Sequence, residues 1–373
     1  MKHNILLICL LSLGIAACTT PEKTVDEEFI YDIHFETECK GKISDSVGDI
    51  KLVLLESNAE AVVSSVAQVF TTEDGIVIYD DDEQKILRFD TTGHFVKQIG
   101  RQGQGSEEYV NISNIDLLGN QLCMADMESK TLVLDWKSNR INKLANSFGD
   151  QIAMVDTNTY VVYNSFKTDN VKSHLTFYDP WWNVLKDTFD IEISSGYQFE
   201  PLIKFYRKNR QLFFIPLFGN SIYEVKSCGC QPYICFKFVN YQMPPIKKLQ
   251  ELADGGQALF DFMKDDDVYI HGFEPKENDK WLYVRFWTGK RTYVGFYNSH
   301  IGSCFYQETT GKQNDLFLYW VKGVFKDYFV SPVYFSELTE SVELQNNQTV
   351  KDFISSHKNA DEDDKVLVYW RFK

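Results

Sequence analysis

An all-β chain wound into a closed ring of six blades is what this sequence predicts, and three observations predict it. The first is a period of two. Strand-like segments rich in Val, Ile, Tyr and Phe, broken by Asp, Asn and Gly turns, recur along nearly all of the 373 residues. The second is a repeat: an apolar-alternating strand, a polar turn and a second strand start at Ile86, Leu132, Leu175, Ile222, Tyr293 and Val366. Successive starts lie 46, 43, 47, 71 and 73 residues apart, where a four-stranded blade takes about 40–50. The third is an unmatched strand, Ile50-Lys-Leu-Val-Leu-Leu55, near the start of a chain whose sixth copy reaches Lys373 with no room for an outermost strand. Pairing the two closes the ring and removes the edges that an open sheet exposes. The expected fold is a six-bladed β-propeller with N-/C-terminal strand closure.

Taken in order, the chain opens with Lys2 ahead of an apolar run from Ile5 to Ala17 that stops at Ile15-Ala16-Ala17-Cys18. The run is shorter than the roughly 20 apolar residues of a membrane-spanning helix. With its charged start and small-residue end, it reads as a signal peptide over residues 1–17. A Cys directly after the small residues resembles the bacterial lipobox, which implies cleavage before Cys18 and a lipid anchor on it. Thr19 follows, not the Asp that commonly holds lipoproteins in an inner membrane, which points to the outer membrane of a cell envelope. Residues 18–30 are a polar tether and 31–373 the propeller. The two long spacings hold partly helical insertions. Residues 244–267 contain the helix-like run Ile246-Lys-Lys-Leu-Gln-Glu-Leu-Ala253, and residues 336–364 a stretch around Val350-Lys-Asp-Phe-Ile354.

Arg88-Phe89-Asp90-Thr-Thr-Gly93, followed by Ile99-Gly-Arg-Gln-Gly-Gln-Gly105-Ser-Glu-Glu-Tyr109, resembles the first blade of six-bladed β-propeller lipoproteins related to NHL repeats. Phe218-Gly-Asn-Ser-Ile-Tyr-Glu-Val225 is similar to a mid-chain blade motif of that family, and Val366-Leu-Val-Tyr-Trp-Arg-Phe-Lys373 to its closing strand. The resemblance spans about residues 48 to 373 and implies the fold and an envelope location; it implies no activity. Where the family carries Pro-Gly, this chain has Ser106-Glu107.

Composition narrows the partners. With 53 Asp plus Glu against 38 Lys plus Arg and a formal charge of −15, no basic stripe is available for phosphates, which disfavours nucleic acid. Beyond Cys9 in the signal and Cys18, six cysteines remain, and their fifteen possible pairings stay open. Cys228-Gly-Cys230 with Cys235 lacks the fourth ligand of a zinc site and reads as a turn. The acidic runs Asp80–Glu83, Asp265–Asp267 and Asp361–Asp364 lack calcium-loop spacing. No metal or cofactor is expected.

Gly100-Arg-Gln-Gly-Gln-Gly105 lacks the Gly-Lys-Ser/Thr ending of a phosphate loop, so its glycines fit a crossing between blades. Arg101, Gln102 and Gln104 are nonetheless the candidate ligand-binding residues, as donors for a carboxylate or a sugar hydroxyl at one end of the ring. Trp181-Trp182 follows Asp179-Pro180, and at least one of these rings should be exposed. The seven His fall in no nucleophile or metal motif, so no catalytic residue is assigned. The expected function is a lipid-anchored envelope binding module for a glycan or an envelope protein partner. The alternative is an envelope glycan hydrolase or lyase with a channel active site, and a third reading is a scaffold. The enzyme requires acids of different blades facing each other across about 5–10 Å. The binder requires an aromatic and polar cleft, and the scaffold a broad apolar patch.

Overall fold

The computed structural model describes residues 28–39, 43–127, 130–145, 149–165, 170–193, 203–253, 257–265, 267–309, 316–341 and 344–373. Two strands come first in the chain, β1 (Tyr31–Phe35) and β2 (Val47–Leu54). Blade one is β3 (Gln68–Thr72), β4 (Gly75–Asp80), β5 (Lys85–Phe89) and β6 (Phe95–Ile99). Blade two is β7 (Ile112–Leu118), β8 (Gln121–Asp126), β9 (Lys130–Asp135) and β10 (Arg140–Ala145). Blade three is β11 (Gln151–Asp156), β12 (Thr159–Tyr163), β13 (Ser173–Tyr178) and β14 (Val184–Asp190). Blade four is β15 (Phe205–Lys208), β16 (Gln211–Phe214), β17 (Ser221–Lys226) and β18 (Gly229–Phe238). Blade five is β19 (Gly272–Glu277), β20 (Trp281–Trp287), β21 (Thr292–Asn298) and β22 (Ser303–Thr309). Blade six takes β23 (Gly323–Phe325), β24 (Tyr328–Tyr334) and β25 (Lys365–Phe372), with β2 antiparallel to β25 as its outer strand. The expected closure is therefore present, from Val47 against Phe372 to Leu54 against Val366.

All six repeat starts fall in the third strand of a blade, which explains why that strand was the readable one. It is buried on both faces, because alternate residues serve opposite seams. In β5, Ile86 packs toward blade two and Leu87 toward blade six. Each of the six seams holds its own apolar cluster, so the core is a ring of interfaces. Four third strands end in the same turn. The Oδ1 of Asp90 accepts from the backbone N–H of Thr92 and His94 at 2.8 and 3.0 Å. Asp135, Asp179 and Asn298 do the same for their turns. Each of these turns contains a residue with positive φ: Gly93, Asn139, Trp182 and Gly302.

The inner strands present unpaired backbone to the axis, and side-chain amides satisfy it. Gln68 of blade one donates to the Ile115 carbonyl and accepts from the Ile115 N–H, both at 2.9 Å. Asn114 of blade two makes the same two bonds with Ile152 of blade three, both at 2.8 Å. Gln151 of blade three accepts from the Lys204 N–H of blade four at 2.8 Å. At these three seams one polar side chain thus sets the register of neighbouring blades.

Residues 31–39, which sequence alone assigned to no strand, form a strap. β1 runs parallel to β18 as a fifth strand on blade four. The chain then exchanges backbone hydrogen bonds with Tyr306 of blade five, through Thr37 and Cys39, before it reaches blade six. Phe35 pins the strap among the rings of Phe236, Phe238, Phe286 and Tyr306. Glycine at 295 admits it, since a Cβ there would lie 2.4 Å from Phe35 Cε1.

Both expected insertions are helical: α1 (Ile246–Ala253) and α2 (Gln257–Asp265) precede blade five. After the short α3 (Leu316–Tyr319) leading into blade six come α4 (Phe335–Glu340) and α5 (Gln348–Ser356), between β24 and β25. Strands alternate in direction, so connections after second and fourth strands share one face of the ring. Both insertions lie on that face, and the short turns after first and third strands lie on the other.

Candidate functional site: the axial channel

The channel is built by the inner strands, and its wider end opens on the turn face. There a cavity of about 480 Å³ is lined by the turns at Thr72–Asp74, Leu118–Asn120, Asn209–Arg210 and Phe325–Lys326. Two buried acids stand in its wall, each held by a cation of another strand. Arg207 of blade four crosses to Asp116 of blade two, with Nε donating to Oδ1 at 2.7 Å and Nη2 to Oδ2, and Nη2 also donates to the Met154 carbonyl of blade three. Glu277 accepts from Lys208 at 2.7 Å, from Tyr233 at 2.8 Å and from Tyr206 at 3.3 Å. Burial raises the Glu277 carboxyl above the usual range, against the pull of Lys208.

Above these pairs the channel narrows to a waist with about 10 Å³ of free space, lined by Ala67, Ile203, Glu274, Lys276, Val321 and Lys322 among others. Lys276 and Lys322 line both the waist and the wide cavity. Lys322 also lines a third cavity of about 400 Å³ toward the insertion face, with Ser64, Asp81, Asp82, Trp320, Tyr334, Glu337 and Lys365 in its wall. This vestibule is aromatic as well as polar: Trp320 is 43 % and Tyr334 38 % exposed. A cation holds a face of each ring, with Arg285 4.4 Å from the Trp320 centroid and Lys365 3.2 Å from that of Tyr334.

The waist carries an unusual charge arrangement. Glu274 pairs with Arg285 at 2.8 Å. Burial raises its carboxyl, but Arg285, Lys322 and Lys276 outweigh this and hold it below the usual range. Withdrawal from water pushes both Lys204 and Lys276 down to about 8, with Glu274 opposing. A base harder to protonate when folded weakens the fold at low pH. The cost is full below about pH 8 and fades as pH rises toward the unfolded value near 10.5. Lys204→Met is therefore expected to be more stable than wild type at pH 7, by about 1–3 kcal/mol. Urea unfolding should show that margin shrinking by pH 9.5. The comparison is between the two proteins because buried thiols such as Cys230, raised to about 12, act oppositely in both. An unchanged margin across that range would refute this account of Lys204.

The residues singled out from sequence lie elsewhere. Arg101, Gln102 and Gln104 sit in the connection from β6 to β7, and none lines the wide cavity, the waist or the vestibule. Arg101 Nε pairs with Glu108 at 2.9 Å and Gln102 donates to the Val110 carbonyl at 3.3 Å. The loop curls around the Glu108 carboxylate, which accepts from the Gly105 N–H at 2.9 Å; a Cβ at 103 would lie 2.0 Å from its Oε2. Trp181 is exposed, while Trp182 stacks on Tyr160 with centroids 5.1 Å apart. Cys228 lies in the two-residue turn between β17 and β18, Gly229 at φ +145° and Cys230 open β18, and Cys123, Cys228, Cys230, Cys235 and Cys304 are unbridged thiols. Among the described residues no group of three or more His, Cys, Asp or Glu is placed to hold a metal ion. Nor is any helix among them long and apolar enough to cross a membrane. Cys18 lies outside the described residues.

The architecture is shared with solved structures. A candidate exported protein of Bacteroides fragilis superposes with a TM-score of 0.81 at 19% identity, over 92% of this chain and 99% of that one. A member of the DUF4221 family from Bacteroides vulgatus gives a TM-score of 0.51 at 12% identity, over 88% of this chain and 97% of that one. At these identities the likeness is one of fold. No curated protein matches the sequence. The family model described as "Domain of unknown function (DUF4934)" matches residues 29–370, and the chain belongs to that family.

Proposed function

We propose that the protein is a lipid-anchored propeller of the bacterial cell envelope, held in the outer membrane through Cys18, that binds a glycan at the vestibule on the insertion face. The observation that carries the glycan is the vestibule wall. Two exposed rings, Trp320 and Tyr334, are each held by a cation beside hydroxyl and carboxylate groups, the composition that suits the apolar faces and hydroxyls of sugars. The lipobox-like Ala16-Ala17-Cys18, the blade-one likeness to NHL-related lipoproteins and the exported description of the B. fragilis neighbour support the anchor and the compartment. The deeper channel favours binding over hydrolysis, because Asp116, Glu277 and Glu274 are each ion-paired with a neighbouring cation. The alternative hydrolase or lyase would draw its acids from the vestibule, where Asp81, Asp82 and Glu337 share one cavity.

The test is thermal unfolding of a lipid-free form, residues 19–373, against a panel of oligosaccharides and polysaccharides, with each mixture then assayed for cleavage. A ligand at 100 times its dissociation constant adds about 2.7 kcal/mol. A shift without cleavage is expected, and Trp320→Ala should weaken that ligand about tenfold or more. Cleavage would replace the binder with the enzyme, and no shift across the panel would move the partner to an envelope protein.

A further inference from the structure

We infer that the waist of the channel is an anion site, taking the carboxylate of an acidic sugar residue whose ring lies in the vestibule. This rests on the glycan reading above and specifies the class of glycan. Lys204, Lys276, Lys322 and Arg285 are gathered about one carboxylate, Glu274, in a protein whose formal charge is −15. Glu274 is engaged with Arg285, and among the described residues Lys204, Lys276 and Lys322 have no carboxylate within 4 Å.

A second observation points the same way. Arg285 is pressed between Trp320 and Trp287, at 4.4 and 5.4 Å from their centroids, and its Nε is buried without a hydrogen-bond partner. A planar guanidinium clamped between rings, with one donor unspent beside two channel-lining ammonium groups, is the arrangement that recognises a carboxylate. Lys322 lines both the waist and the vestibule, so it can reach the acid while the sugar ring rests near Trp320. Lys204 and Lys276 weaken the fold as they stand, which is the signature of residues kept for a ligand and not for stability. A bound carboxylate opposes their desolvation and favours their charged form.

The experiment is calorimetric titration of the mature chain with a trigalacturonate, a matched neutral galactose trimer, free galacturonate and inorganic sulfate. It is run on wild type, Lys276→Met and Lys276→Arg at pH 7, and on wild type again at pH 9.5. The acidic trimer should bind wild type at least tenfold more tightly than the neutral one. Lys276→Met should erase that preference with the neutral trimer unchanged, and Lys276→Arg should keep most of it. Affinity for the acidic trimer should fall at pH 9.5. Lys276→Met removes a charge that costs stability, so its loss of preference would not reflect unfolding; its melting curve is recorded alongside. Equal binding of the two trimers, or a preference that survives Lys276→Met, overturns the inference and leaves the glycan reading standing. Free galacturonate binding as tightly as the trimer supports the anion site and removes the glycan. Sulfate binding more tightly than either carboxylate overturns the carboxylate assignment.

Discussion

Asp116→Ala should cost about 3–5 kcal/mol of stability, the range for breaking a buried ion pair from one side. Arg207, on blade four, reaches across the wide cavity to Asp116 on blade two and the Met154 carbonyl on blade three. Asp116 in turn accepts from the Met154 N–H at 2.9 Å. Removing the carboxylate leaves a buried guanidinium and a backbone N–H without their partner, so the loss exceeds that of one hydrogen bond. The double variant Asp116→Ala with Arg207→Met removes the stranded charge and should recover more than half of the loss. Urea unfolding of the two singles and the double measures this coupling. A loss below 1 kcal/mol in Asp116→Ala would mean that the pair does not tie the blades together.

The second large effect is expected at Phe35. Truncation to Ala should cost about 3–5 kcal/mol, the range for a fully buried phenylalanine. Phe35 is 1 % exposed and carries the strap across the seam between blades four and five. Its partner is a missing side chain. Gly295→Ala in an otherwise normal chain drives a methyl into the Phe35 ring, whereas with Phe35→Ala the same methyl has room. The two losses should therefore be less than additive, and strictly additive thermal midpoints would exclude the contact.

The fold was legible in the sequence because the third strand of each blade is sealed between two seams and, in four of the six, ends in the same turn. Ile86, Leu132, Leu175, Ile222, Tyr293 and Val366 announce themselves by a mostly apolar run followed, in most blades, by Asp or Asn. The inner strands lack that signal. Gly272-Phe-Glu-Pro-Lys-Glu277 reads as a solvated charged segment, yet it places Glu274 and Lys276 at the waist and Glu277 in the wide cavity. Channel residues come from strands about forty to seventy positions apart, and alternation along each strand says which residues share a face but not which face looks inward. The glycine-rich loop drew notice for the opposite reason. Its pattern is local, and so is its cause, a turn wrapped around Glu108. The strap was missed because β1 pairs with β18, about two hundred residues later in the chain.

That strap changes how the ring bears load. A pull applied at the N-terminus acts along the chain in order, first on β1 at the edge of blade four, then on Phe35 in its aromatic socket and the bonds to Tyr306. Only after these yield does tension reach β2 and its pairing with β25, on which closure depends. Under the proposed anchor at Cys18, the strap would work as strain relief. Drag or thermal jostling on such a tether would be spent at the rim of blades four and five, leaving the clasp that keeps six blades circular unstressed.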